Sequence, residues 1–169
     1  MTHVHSPEWT ALLTRLGIDA RPATPRTDAD RRVDRVLPRV SETAPDVEIA
    51  LALLTAAASG PLRKSLAELH TRSRAERAAL SESRAATPPR RPSVFARLLV
   101  RLGPRAPVVE PTRELDAWVC AETAAAIAAA PGSQLDRAAA IDGVRRLLSR
   151  KRLTADRVEG VLRVLLLAS

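Results

Sequence analysis

Three histidines, one cysteine and a scatter of carboxylates are the groups in this chain that could move protons, hold metals or attack a carbon. His3 and His5 form a His-x-His near the amino terminus, a spacing that suits copper or nickel when the backbone is held still. So near a terminus, the expectation is a mobile tail rather than a metal site. His70 has no cysteine or second histidine near it in sequence and reads as a member of a basic stripe, not as a general base. Cys120 falls among Trp118, Val119 and Ala121 and reads as a small buried hydrophobe. Gly60-Pro61-Leu62-Arg63-Lys64-Ser65 shares only its last two residues with a phosphate-binding loop; the glycine before the lysine and the preceding strand are both missing. Asp28, Asp30 and Asp34 share a helix face, but Arg31, Arg32 and Arg35 alternate with them, so the segment reads as a salt-bridged surface helix. No glycosidase-type carboxylate pair and no nucleophile elbow can be assigned. The expectation is a protein that is not an enzyme and takes no metal and no cofactor.

Charge carries more information than these single groups. The 169 residues hold 27 basic and 19 acidic side chains, a net charge of +8. Residues 63–113 carry twelve basic and four acidic groups, and residues 145–169 carry seven and two. Between them, residues 114–144 carry one basic and five acidic groups, while residues 1–62 are close to balance. Arginine outnumbers lysine almost completely, with Lys64 and Lys151 the only lysines, a bias that a high-GC genome also produces. Such a bias does not segregate charge by sign. Patches of one sign attract polyanions, and nucleic acid is the commonest of these.

The elements that must position those charges all have the period of a helix. Ser6-Pro7-Glu8 reads as a cap opening a helix from Pro7 to Leu16 that buries Trp9, Leu12, Leu13 and Leu16. A short helix is expected from Asp28 to Val36, disrupted by Pro38. The next opens at Pro45, with Val47, Ala50, Leu51, Leu54 and Ala58 inward, and ends at Ser59-Gly60-Pro61. Leu62 to Ala86 follows as the longest basic stretch free of proline and glycine. Its seam of Leu62, Leu66, Leu69, Ser73, Glu76 and Leu80 spans too few heptads for a coiled coil and reads as packing within the chain. One position round, Arg63, His70, Arg74, Arg77 and Arg84 form a stripe about 32 Å long, enough to follow several phosphates.

Residues 87–92 and 103–111 read as proline-rich loops on either side of a short helix that Ser93 caps, with Arg97 and Arg101 on its outer side. Pro89-Arg90-Arg91-Pro92 fits a stiff linker as well as a proline-rich ligand, and the basic run before Ser93 resembles a phosphorylation site by chance composition. Thr112 is expected to cap a helix burying Leu115, Trp118, Val119 and Ile127. Ser133 is expected to start another, with Ala138, Ile141, Val144 and Leu148 inward. Thr154 opens a last helix burying Val158, Val161, Leu162 and Leu165. The whole reads as an all-α, single-domain bundle of about seven helices.

Helices over 134–150 and 154–167 have the lengths of a helix-turn-helix, but the second would show Asp156, Arg157, Glu159, Gly160 and Arg163 to a groove. Two acids and no Asn or Gln make a poor reader of base edges. The cluster Arg145, Arg146, Arg150, Lys151 and Arg152 suits phosphate better. Trp9, Phe95 and Trp118 all fall on apolar stripes, so contact through stacked exposed rings is not expected. The candidate nucleic-acid contacts are therefore Arg63, Lys64, His70, Arg74, Arg77, Arg84, Arg90, Arg91, Arg97 and Arg101, with Arg145, Arg146, Arg150, Lys151 and Arg152.

Small, all-helical, basic in patches and with an acidic segment from Glu114 to Asp142, the chain resembles the small helical subunits of CRISPR RNA-guided effector complexes. The resemblance is one of class, spans the chain loosely and transfers no residue. It implies a subunit that lies along RNA or single-stranded nucleic acid without cutting it and meets other protein subunits, copies of itself included, acid to base. The competing expectation is a protein–protein adaptor whose basic faces meet acidic partners. No apolar run approaches ~18 residues, so no membrane contact is expected. The first residues show no signal-peptide pattern and a single cysteine allows no intrachain disulfide, which points to the cytoplasm.

Overall fold

The computed structural model describes residues 7–16, 26–86 and 110–167. Within them lie seven α-helices and no strand: α1 (Pro7–Arg15), α2 (Asp28–Val36), α3 (Asp46–Ala57), α4 (Gly60–Ala86), α5 (Pro111–Ala128), α6 (Arg137–Ser149) and α7 (Ala155–Leu167). The architecture is an all-α bundle on a single core. None of these helices is long and apolar enough to cross a membrane. The cap at Ser6, the linker 87–92, the helix expected after Ser93 and the loop up to residue 109 lie outside the described residues.

Helix α3 is the centre. Val47, Ile49, Ala50, Leu51, Leu53, Leu54, Ala56 and Ala57 are all buried, covering more of the circumference than the single stripe read from sequence. A helix apolar nearly all round needs neighbours all round, and α2, α4, α5, α6 and α7 each pack on it. The seam of α4 does what its spacing predicts: Leu62, Leu66, Leu69 and Ser73 are buried within the chain, Glu76 is exposed, and Leu80 is half-buried.

Local chemistry sets the ends of the elements. The Thr27 hydroxyl accepts from the Asp30 N–H at 3.2 Å while Asp30 Oδ2 accepts from the Thr27 N–H at 2.8 Å, a capping box that starts α2. Pro38 ends the α-helical pattern at Val36, as its position predicts. It sits at the start of a 3-10 turn (Leu37–Arg39) that follows α2 directly, where its missing N–H costs little. Pro111 likewise occupies the first turn of α5, with Glu110 rather than Thr112 as the cap, so the irregular segment ends earlier than its prolines suggest. Helix α6 ends in a Schellman motif: the Lys151 N–H donates to the Leu148 carbonyl and the Arg152 N–H to the Leu147 carbonyl, both at 2.9 Å. Lys151 takes the left-handed backbone there (φ 55°), a place that glycine usually fills.

The start of α6 departs from the sequence reading. Ser133 lies in a 3-10 turn, and Asp136 caps the helix by accepting from the Ala139 N–H at 3.0 Å. The cause is a long-range tie. Ala58 and Leu135 form an isolated antiparallel bridge, and the Gln134 side-chain oxygen accepts from the Leu62 N–H at 3.0 Å, capping α4. With the start moved, Ala139, Ala140, Val144 and Leu147 face inward, and Ala138, Ile141 and Leu148 are only half-buried.

Gly143 of α6 lets that helix close on α2 and α3. A Cβ there would lie 2.8 Å from Val33 Cγ1 and 3.0 Å from Leu53 Cδ2. Gly143→Ala is therefore expected to destabilise the fold by about 1–2 kcal/mol despite alanine's better helix propensity, because both neighbours are core side chains. Denaturant titration measures it; unchanged stability would mean that α2 and α6 sit farther apart than described.

Candidate functional site

A cleft of about 490 Å³ opens between α2 with its 3-10 turn, α3 and α4. Its floor is one face of α3: Ile49, Ala52 and Ala56 recur at i, i+3 and i+7, with Glu48 and Thr55 beside them. Arg32, Arg35, Val36, Arg39 and Val40 form one wall, and Arg63, His70 and Arg74 form the other. Small residues at 52 and 56 keep the trough open between two flanking helices. Five guanidinium groups thus surround a space whose lining includes one carboxylate, that of Glu48. Such a concave lining with a surplus of positive charge concentrates anions.

The cations divide by how firmly they are held. Arg32 donates from Nε to the Ala56 carbonyl at 2.9 Å and from Nη2 to the Ala58 carbonyl at 3.1 Å, capping the end of α3. Arg74 lies 3.3 Å from Glu48 yet stays largely exposed. Arg35 donates to the carbonyl of Arg31 one turn back. Arg39 and Arg63 are exposed and have no carboxylate partner among the described residues.

Glu48 also stands 3.9 Å from His70 Nε2 and 3.9 Å from Arg77 Nε. Burial holds the His70 imidazole below its ordinary range and the Arg74 charge adds to that, with Glu48 pulling the other way; the ring is therefore neutral at neutral pH. Its Nε2 is buried without a hydrogen-bond partner. Arg77 turns away from the cleft and donates to Asp116 of α5 at 2.7 Å, tying three helices together. Cys120 on α5 is half-buried, less so than its apolar neighbours imply, and burial together with Asp116 pushes its thiol up.

The α4 stripe is therefore split by the fold. Arg63, His70 and Arg74 face the cleft, and Arg77 is spent on structure. Lys64 is exposed but does not line the cleft, and Arg84 belongs to α4 by its backbone, its side chain lying outside the described atoms. Arg90, Arg91, Arg97 and Arg101 lie outside the described residues.

The carboxy-terminal cluster does not form a second face. Arg146 is buried and pairs with Asp34, with Asp142 at 3.1 Å and with Asp30 at 3.7 Å, so it leaves the set of groups open to a phosphate. Arg145 pairs with Asp142 at 2.7 Å. Arg152 donates to the carbonyls of Pro38 and Val40 at 3.1 and 3.2 Å, fastening the 3-10 turn. Arg150 and Lys151 remain exposed at the turn. Nor is the outer side of α7 free for a groove. Arg157 donates to Asp46 and to the carbonyls of Glu42 and Ala44, Gly160 sits against Asp46, and Glu159 pairs with Arg15 and Arg163.

Sequence reasoning missed the whole α2 wall. Arg32, Arg35 and Arg39 recur at i, i+3 and i+7, the same signal that exposed the α4 stripe, but interleaved aspartates masked it. Those aspartates lie on the other side: Asp30 is buried in the capping box, and Asp34 meets Arg146. Of the ion pairs expected within this helix, Arg31–Asp28, at 3.2 Å, is the one that forms as a surface bridge. The chain matches no protein-family model, no curated protein and no solved structure.

Proposed function

We propose that this protein is a non-catalytic subunit that binds the phosphate backbone of nucleic acid through the arginine-lined cleft, within a larger nucleoprotein assembly. One observation carries the reading: five arginines from two walls converge on a space lined by a single carboxylate. Guanidinium groups suit phosphate in particular, since their planar fork meets two phosphate oxygens at once. The class resemblance to small subunits of CRISPR effector complexes agrees with this role, in which the chain lies along a strand held by its partners.

The test is a fluorescence-anisotropy titration of several unrelated oligonucleotides at two or more salt concentrations. Affinity is expected to be nearly indifferent to sequence and to fall steeply as salt rises. Absence of binding to every strand at low salt would overturn the reading and favour an acidic protein partner.

Glu48 supplies a sharper check. It is the counter-ion that restrains Arg74 and lies near His70, so it competes with any incoming phosphate. Glu48→Gln is expected to tighten oligonucleotide binding by about threefold to tenfold, the scale of one partly screened charge contact. Weaker binding in a variant that still melts cooperatively would place the strand elsewhere.

A further inference from the structure

From the shape and lining of the cleft we infer that it admits one nucleotide of a single strand, sugar and base lowered onto the α3 floor and the flanking phosphates held at the arginine rim. This rests on the phosphate-backbone reading and adds to it a seat for the base between the two arginine walls. A site for bare phosphate needs cations alone, whereas this one has an apolar base: Ile49, Ala52 and Ala56 on α3, continued by Val36 and Val40 on the α2 side. Its volume of about 490 Å³ falls within the ~300–1,000 Å³ of sites that enclose small organic groups. A duplex cannot use that depth, because its phosphates lie on a convex cylinder and its bases are stacked inside; it reaches only the rim. A splayed single strand can offer each base separately. With no Phe, Tyr or Trp in the lining, the planar partners available to a base are the guanidinium groups and the His70 imidazole, which also stack.

The floor can be filled without touching charge. Ala52→Leu places a branched side chain in the trough, and Ala52→Ser leaves it open. Ala44→Leu, from the loop before α3, fills the same space from outside the helix should the first variant fail to fold. The probes are a labelled single strand of about 12 nucleotides, a hairpin duplex of the same composition, and unlabelled adenosine monophosphate as competitor. The unaltered protein is expected to prefer the single strand to the duplex about tenfold. Ala52→Leu, or Ala44→Leu in its place, should remove that preference while duplex binding stays within about twofold, and Ala52→Ser should retain it. Equal affinity for the two forms in the unaltered protein, or a filled floor that leaves the preference intact, would overturn the inference and leave rim binding standing. Competition by the free mononucleotide at concentrations equal to the strand would overturn it in favour of a small-ligand pocket. Binding of neither form would overturn the phosphate-backbone reading itself.

Discussion

Reversing Arg39 and Arg63 together to glutamate is expected to weaken binding of unrelated oligonucleotides by about a hundredfold or more. The two sit on opposite walls of the cleft, one on the turn after α2 and one on α4. A hydrogen bond to a charged group contributes roughly 1.5–3 kcal/mol, so losing two accounts for about two decades before any repulsion is added. The salt dependence should flatten as well, by about one unit of slope for each phosphate that is no longer neutralised. Both side chains are exposed, with no carboxylate partner among the described residues, so the melting temperature should stay nearly fixed. That constancy makes the pair a cleaner probe than Arg74 and Arg77, which are tied to Glu48 and Asp116. Anisotropy titration and a thermal melt on the same preparation give both readouts. Unchanged affinity would remove the cleft from the proposal.

Arg146→Ala should do the opposite, with a large loss of stability and little loss of affinity. Its guanidinium is buried among Asp30, Asp34 and Asp142, and it joins α6 to α2. Deleting one member of such a cluster strands the remaining charges, at a cost of about 3–5 kcal/mol. For a domain of this size that corresponds to a fall of about 10 °C in melting temperature. Well below the transition, oligonucleotide affinity should lie within about twofold of the unaltered protein. A normal melt with weakened binding would show that Arg146 reaches phosphate after all.

These two variants bracket what the sequence could and could not reveal. The span of α2 was legible from its short charged pattern and from Pro38, but its Thr27–Asp30 capping box was not, since Asp30 reads from sequence as a surface charge and is buried in the cap. Helix α7 was legible because Val158, Val161, Leu162 and Leu165 repeat without interruption. Helix α6 was misplaced because its start depends on a bridge between Ala58 and Leu135, two residues far apart in the chain. The site was half legible for the same reason. A basic stripe on α4 with no acid among its positions shows itself, but the arginines of α2 become available only when their aspartates find other partners. The chief of those partners, Arg146, lies more than a hundred residues on. Periodicity reports which groups share a face; it does not report which distant charge will claim them.

The central place of α3 has a consequence for how the cleft would hold a chain. Five helices lean on it, so the floor cannot shift without disturbing the core, and an occupant meets a surface already in its final form. The entropic cost of capture then falls on the rim. Arg32, pinned by two carbonyls, and Arg74, beside Glu48, have less freedom left to lose, whereas Arg39 and Arg63 surrender most of the roughly 2 kcal/mol of rotamer entropy that an arginine carries. Under the proposed function, a grip that combines fixed and loose fingers would release its phosphates one at a time rather than all together.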